Sequence, residues 1–340
     1  MTIYLRTDCG GQWGMGHAMR LHTLAGALHA AAPAVPLVFV TTTAALRDVV
    51  GPDGAAWRTH VYATDYGALG AMTLRAQPGD VLVLDQPQAQ ERDAAGLHLH
   101  DTFRVVRIDA PWATPETCDL LVLPGLHHSF ETVEALDAQF GERLLVGAEY
   151  VLLRPEVTQG AAPWPVASTF LLVSAGGSDP EADVPLLFEM TRRLADTCPE
   201  VFRVYAMGAL AAPWSVQRPD AHAWITGFDL DYVRHAGLVL TLWGATVYEA
   251  LACGTPTVTL ARTAREAADA QRLQDASAGA VQSWGLLTDV MREDLCARLT
   301  ALWHDVAQRT AMHHASAGLL DGGGAGRVAA AVLGLAGRGS

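Results

Sequence analysis

Twice in this chain a short, unbroken apolar run gives way to a glycine turn and then to the start of a helix. The first run is Ile3 to Leu5. A loop with Gly10, Gly11, Gly14 and Gly16 follows, and then Met19, Leu21, Leu24 and Leu28 at helical spacing. The second is Thr169 to Ser174, followed by Ala175-Gly176-Gly177-Ser178-Asp179-Pro180. Strand, glycine turn and helix open a parallel α/β domain, so two openings predict two such domains. At 340 residues, half of them hydrophobic, the chain is long enough to give each its own core.

The intervening sequence fits this reading. Apolar runs predict strands at Val35 to Thr41, Trp57 to Tyr62, Val81 to Leu84, Phe103 to Ile108 and Leu120 to Leu123. In the second half they fall at Phe202 to Met207, Ala223 to Ile225, Leu238 to Leu242 and Pro256 to Leu260. Helices are expected from about Ala44, over Arg265 to Ala276 and Arg292 to Ala315, and from Arg327 to the end. The composition turns to Gly, Ala and Pro between Gln159 and Pro165, which sets the domain boundary. The expected architecture is therefore two Rossmann-like parallel-sheet domains, residues 1–160 and 161–340, facing across a cleft. The terminal helix is assigned to the second.

The first glycine loop is built for an anion. Glycines let backbone N–H groups approach closely, and a helix N-terminus adds favourable partial charge. It is not a Walker A loop, because no Gly-Lys-Ser/Thr closes it, and it lacks the spacing of a dinucleotide fingerprint. His17 stands where the helix begins, at the carboxyl end of the first strand, where open α/β sheets bind ligands. Asp85 and Asp109 each end a strand. They either face that same edge or cap the next element.

Composition excludes several functions. The net charge of −13 disfavours a nucleic-acid partner, and without a single Lys the chain has neither a P-loop lysine nor a Schiff-base lysine. Five scattered cysteines with no Cys-x-x-Cys predict neither a disulfide framework nor a zinc site. His127-His128 and His313-His314 are adjacent pairs and lack the spacing of a helical metal site, so no metal and no cofactor is expected. No run of eighteen apolar residues appears, which predicts a cytoplasmic protein with no membrane span or signal peptide. A monomer and a weak homodimer are both compatible with the sequence.

Gly244-Ala245-Thr246-x-x-Glu249-Ala-Leu-x-x-Gly254-x-Pro256 is similar to the nucleotide-sugar motif of GT-B glycosyltransferases. A helix starting at Gly244 offers N–H groups to a diphosphate, and Glu249, one turn on, is placed to accept both ribose hydroxyls. Joined to Arg6-x-Asp8 and Gly14-x-Gly16-His17-x-Met19-Arg20, the set resembles the UDP-2,4-diacetamido-2,4,6-trideoxy-β-L-altropyranose hydrolases of pseudaminic acid synthesis, which are GT-B-like. Further matches lie at Gly147-x-x-Tyr150-x-Leu152-Leu153-Arg154-Pro155-Glu156, at Gly176-Gly177-Ser178-Asp179-Pro180 and at Asp321-Gly-Gly-Gly-Ala-Gly326-Arg327-Val328. The five run in order over most of the chain.

The resemblance implies metal-independent, inverting hydrolysis of a UDP-sugar, with water attacking C1 and UDP leaving. His17 is the implied general base, and Asp8 is the carboxylate expected to orient it. Gly14, Gly16, Arg20, Asp85, Gly176, Gly177, Ser178, Gly244, Ala245, Thr246 and Glu249 complete the expected substrate site, with Arg20 pairing with Asp8 or a helix end. The chain departs from the family where Asp-His-Tyr reads Asp85-Gln86-Pro87, where Asp-Asp reads Asp109-Ala110, and where Asn-Gln reads Thr263-Ala264. The UDP-side residues are largely kept while several sugar-side residues are changed, which predicts a different sugar. A GT-B glycosyltransferase using a UDP-sugar donor and a non-catalytic UDP-sugar-binding homologue are the alternatives.

Overall fold

The run Val81–Leu84 is Val-Leu-Val-Leu, with no polar face to turn towards water, and all four residues are buried. Strands covered on both faces belong to parallel sheets sandwiched by helices, and two such sheets form. The structure is a computed structural model describing residues 1–10, 14–54, 56–86, 99–158, 164–165, 167–177, 183–207, 222–226, 230–290 and 292–336.

The first sheet holds β1 (Ile3–Arg6), β2 (Leu37–Thr41), β3 (Trp57–Val61), β4 (Val81–Leu84), β5 (Arg104–Ile108), β6 (Leu120–Pro124) and β7 (Leu144–Gly147). Their order is β3-β2-β1-β4-β5-β6-β7, with every pairing parallel. The second holds β8 (Phe170–Ser174), β9 (Phe202–Met207), β10 (His222–Thr226), β11 (Leu238–Leu242), β12 (Thr257–Ala261) and β13 (Val281–Leu286). Its order is β10-β9-β8-β11-β12-β13, again all parallel.

Alternate residues of each strand feed opposite faces. Ile3 and Leu5 join a core with Leu21, Leu24 and Leu28 of the helix Gly16–Ala31. Tyr4, between them, points into the other core, with Ala68, Leu69 and Met72 of the helix Asp65–Arg75. In the second domain Leu171 and Val173 pack with Val184 and Leu187 of the helix Asp183–Thr191.

Three boundaries differ from the sequence reading. The first domain is Met1–Arg154 together with Gly322–Ser340, and the second is Pro155–Asp321. The terminal helix, Gly324–Ala336, was expected in the second domain. It buries Ala325, Val328, Ala329 and Val332 in the first domain's core beside Leu21 and Leu24. Each valine so buried contributes about 1.5–3 kcal/mol. The expected helix over Arg292 to Ala315 is two, Arg292–His304 and Val306–Ser316. Asp305 interrupts it, its carboxylate accepting from the Gln308 N–H at 2.8 Å as an N-cap. Among the described residues no helix is long and apolar enough to cross a membrane, and all five cysteines are buried thiols outside any disulfide.

Two stretches singled out in the sequence meet here. The chain leaves the first domain after Arg154 and re-enters at Gly322, and Arg327 donates to the Glu149 carbonyl at 2.8 Å. Gly324 packs so closely that a Cβ there would lie 2.2 Å from the Val151 carbonyl oxygen. Backbone cannot yield as a flexible side chain does, so Gly324→Ala is expected to lift the terminal helix and lower stability by about 1–3 kcal/mol. A urea midpoint equal to that of the unaltered chain would contradict this.

Candidate functional site

The order of the first sheet reverses between β1 and β4. Loops leaving these neighbours run to opposite sides, and the crevice at their carboxyl ends is where open α/β sheets take ligands. β1 leads through the glycine loop into the helix carrying His17 and Arg20, while β4 ends directly at Asp85. In the loop, Gly10 and Gly14 hold positive φ angles of 77° and 66°, a region costly to residues with a Cβ. The Gly10 N–H donates to the Gly14 carbonyl at 2.8 Å, closing the turn that brings Gly16 and His17 to the helix start.

His17 Nδ1 lies 2.6 Å from Asp85 Oδ1. A carboxylate only accepts, so Nδ1 carries the proton and donates, and in the neutral ring the lone pair sits on Nε2. Arg20 Nη2 lies 2.8 Å from the same Nδ1, and both N–H groups converge on Oδ1, which Nη2 reaches at 2.7 Å. Arg20 Nε donates to Asp85 Oδ2 at 3.0 Å and Nη1 to Asp109 Oδ2 at 3.0 Å. His17, Asp85, Arg20 and Asp109 are thus one network, with one fixed cation between two carboxylates.

Burial works against ionising Asp85, but Arg20 and His17 outweigh it and hold the carboxyl below its ordinary range. Asp109 is likewise opposed by burial and is held well below that range by Arg20 and His127. Asp109 adopts a left-handed φ of 58°, which Asp tolerates better than most residues. His127 Nε2 approaches its other oxygen at 3.9 Å.

Asp8 stands elsewhere than expected. It takes both Arg6 Nη atoms at 2.7 Å, the Thr42 N–H at 2.6 Å, the Thr41 hydroxyl at 2.9 Å and Gln86 Nε2 at 3.3 Å. Arg6 is fully buried and also pairs with Asp65. Burial opposes ionisation of Asp8, yet Arg6 and the threonine donors bring its carboxyl down to about 2. The carboxylate against His17 is Asp85, and the partners of Arg20 are Asp85 and Asp109. Asp8 instead locks the end of β1 to the loop after β2.

The three departures from the family pattern have local roles. Gln86 donates to Asp8. Ala110 is buried in an apolar core, where an unpaired carboxylate would be costly. Thr263 caps the helix Ala264–Ala276 in a full capping box with Glu266.

The second sheet reverses between β8 and β11, and the two segments expected to bind diphosphate leave those two strands. After β8, Gly176 takes a positive φ of 97° and its N–H donates to Ser174 Oγ at 3.1 Å, with Gly177 next. After β11, Gly244 precedes the helix Ala245–Ala252, with Ala245 exposed, Thr246 buried and Glu249 half-buried one turn on. Ser178, Gly11 and Pro87 lie outside the described residues. Arg262, which the sequence reading did not single out, follows β12. Its Nε donates to Asp183 at 2.6 Å, and Nη2 approaches the Ala175 carbonyl at 3.5 Å. An Arg after a strand carries no spacing signal by which to find it.

No family model and no curated protein matches the sequence. Solved structures do. The calicheamicin glycosyltransferase CalG4 aligns over 99% of both chains at 16% identity, with a TM-score of 0.62. A putative UDP-N-acetylglucosamine 2-epimerase from Listeria monocytogenes aligns over 98% of this chain and 96% of its own, at 15% identity and a TM-score of 0.66. MnaA of S. aureus, solved with UDP, aligns over 96% and 95%, at 14% identity and a TM-score of 0.65. The fold is GT-B-like. At these identities the likeness extends to the fold and not to the reaction.

Proposed function

We propose that this chain is a nucleotide-sugar enzyme that breaks the C1–O bond of a UDP-sugar by inverting displacement, with His17 as general base. The observation that carries the reading is the His17–Asp85 pair at the switch point of the first sheet. Nε2 takes the proton of the attacking hydroxyl as the new C1–O bond forms. Asp85 holds the ring in the required tautomer and stabilises the imidazolium that results. Arg20 keeps Asp85 ionised and in place. The bond from C1 to the diphosphate breaks on the opposite face, and UDP departs with the electron pair. Backbone N–H groups at Gly176, Gly177 and the helix start at Gly244 to Thr246 would take that charge, with Ser178 assigned alongside them, and Glu249 would hold the ribose.

The attacking hydroxyl decides between two reactions. With water the enzyme is a hydrolase, the reading the five ordered motifs favour. With an alcohol it is a glycosyltransferase, and CalG4, a glycosyltransferase by name, shares the fold. The test is UDP release from a panel of UDP-sugars, including the altrose derivative and UDP-N-acetylglucosamine, first without acceptor and then with candidate alcohols. Release without acceptor supports hydrolysis, and release only with an alcohol supports transfer. UDP binding with no release under either condition would sink the catalytic reading and leave a binding protein.

A further inference from the structure

Three side chains of metal-ligating type converge in the second domain, away from its Gly176 and Gly244 loops. Cys198 and Glu200 sit in the turn that enters β9, at the amino end of the parallel strands. His304 is the last residue of the helix Arg292–His304. The Cys198 thiol donates to Glu200 Oε1 at 3.1 Å, His304 Nε2 lies 2.9 Å from the same oxygen, and Cys198 Sγ lies 3.8 Å from Nε2.

The three separations have the dimensions of one face of a zinc tetrahedron. Bonds of about 2.3 Å to sulfur and about 2.0–2.1 Å to nitrogen and oxygen give ligand–ligand edges of about 3.3–3.6 Å. Each separation here is within about half an ångström of that range. The buried sulfur lies beneath two exposed ligands, whose side chains are 53% and 57% exposed and have room to adjust. Thiolate, imidazole and carboxylate together suit a borderline-soft divalent ion, and a thiolate with one carboxylate neutralises its charge.

We propose that Cys198, Glu200 and His304 form a three-ligand site for a zinc-class divalent ion that ties the end of the helix Arg292–His304 to the turn before β9. On binding, the metal forms bonds to Sγ, Nε2 and a Glu200 oxygen. The thiol proton leaves to solvent, and the imidazole keeps its proton on Nδ1. A water completes the tetrahedron. Asp109, His127 and His128 also bring ligand atoms within 4.8 Å of one another. There, however, Arg20 sits 3.0 Å from the carboxylate and opposes a second cation. The Cys198 site lies at the opposite end of its sheet from the Gly176 and Gly244 loops, so its role is to brace the domain.

The test is titration of the metal-free, full-length chain with Co²⁺ under reducing conditions, read by the near-ultraviolet thiolate-to-cobalt charge-transfer band, followed by displacement with Zn²⁺. One equivalent should produce the band. Cys198→Ser should abolish it, His304→Ala should weaken Co²⁺ binding about tenfold or more, and His127→Ala should leave it unchanged. Zn²⁺ should raise the melting temperature of the unaltered chain and not that of His304→Ala. Should Cys198→Ser fail to fold, the surface variants His304→Ala and Glu200→Gln carry the test. No charge-transfer band in the folded chain, a band that persists in Cys198→Ser, or Co²⁺ affinity unchanged in both His304→Ala and Glu200→Gln would overturn the site.

Discussion

Replacing His17 with alanine is expected to lower turnover of the UDP-sugar by about 10²–10⁴-fold with UDP affinity nearly unchanged. The histidine belongs to the first domain and the assigned nucleotide loops to the second, so deletion of the base should separate chemistry from nucleotide binding. Asp85→Asn is the sharper companion. It removes the charge that favours the imidazolium, and its amide can present N–H to Nδ1 and so reverse the tautomer. A loss of up to about 10⁴-fold in kcat is expected. Steady-state kinetics beside a UDP titration and a circular dichroism spectrum would measure both. If Asp85→Asn kept full kcat, the pair would have no catalytic meaning. If His17→Ala did, the base would be elsewhere.

The largest effect on stability is expected at Asp8. Asn in its place leaves the fully buried Arg6 cation without its bidentate partner. Breaking a buried pair from one side costs roughly 3–5 kcal/mol. The effect has a definite pH signature. The carboxyl lies at about 2 in the folded chain against an ordinary 3.8. The folded pKa is depressed, so the contribution of Asp8 is complete above about pH 4 and is lost as pH falls towards 2. Urea unfolding of Asp8→Asn and the unaltered chain should therefore differ most near neutral pH and converge near pH 2. A difference that stayed constant across that range would show that the loss is one of packing and not of charge.

The parallel strands were legible because they are buried on both faces. Val81–Leu84, Phe202–Met207 and Leu238–Leu242 stand where their apolar runs stand. Of the four edge strands, Trp57–Val61 and His222–Thr226 were read from their apolar runs, whereas Leu144–Gly147 and Val281–Leu286 were not. Val281–Leu286 carries Gln282, Ser283 and Trp284 and pairs with only one neighbour, so nothing required an apolar run. Asp85 and Asp109 could be placed at strand ends, but which acid would meet His17 could not. The sequence puts Asp8 nearest, whereas strand order puts Asp85 beside the end of β1. Arg6 is what removes Asp8 from the choice, and an Arg inside an apolar strand announces its need for a partner without saying which. Cys198, Glu200 and His304 were invisible for a related reason. Spacing rules find ligands on one turn or one helix, and these come together only after the strands and helices between them have packed.

The first domain closes with residues that are made only after the whole second domain. Val328 and Val332 complete a core whose other members, Leu21 and Leu24 among them, lie at the opposite end of the chain. On the ribosome, that core must wait while the whole second domain is synthesised, on the order of ten seconds or more at ~5–20 residues per second. During that interval the groove awaiting the terminal helix is an exposed apolar surface, the kind that chaperones hold and that invites association between nascent chains. A chain truncated just before Gly322 would keep the groove uncovered permanently.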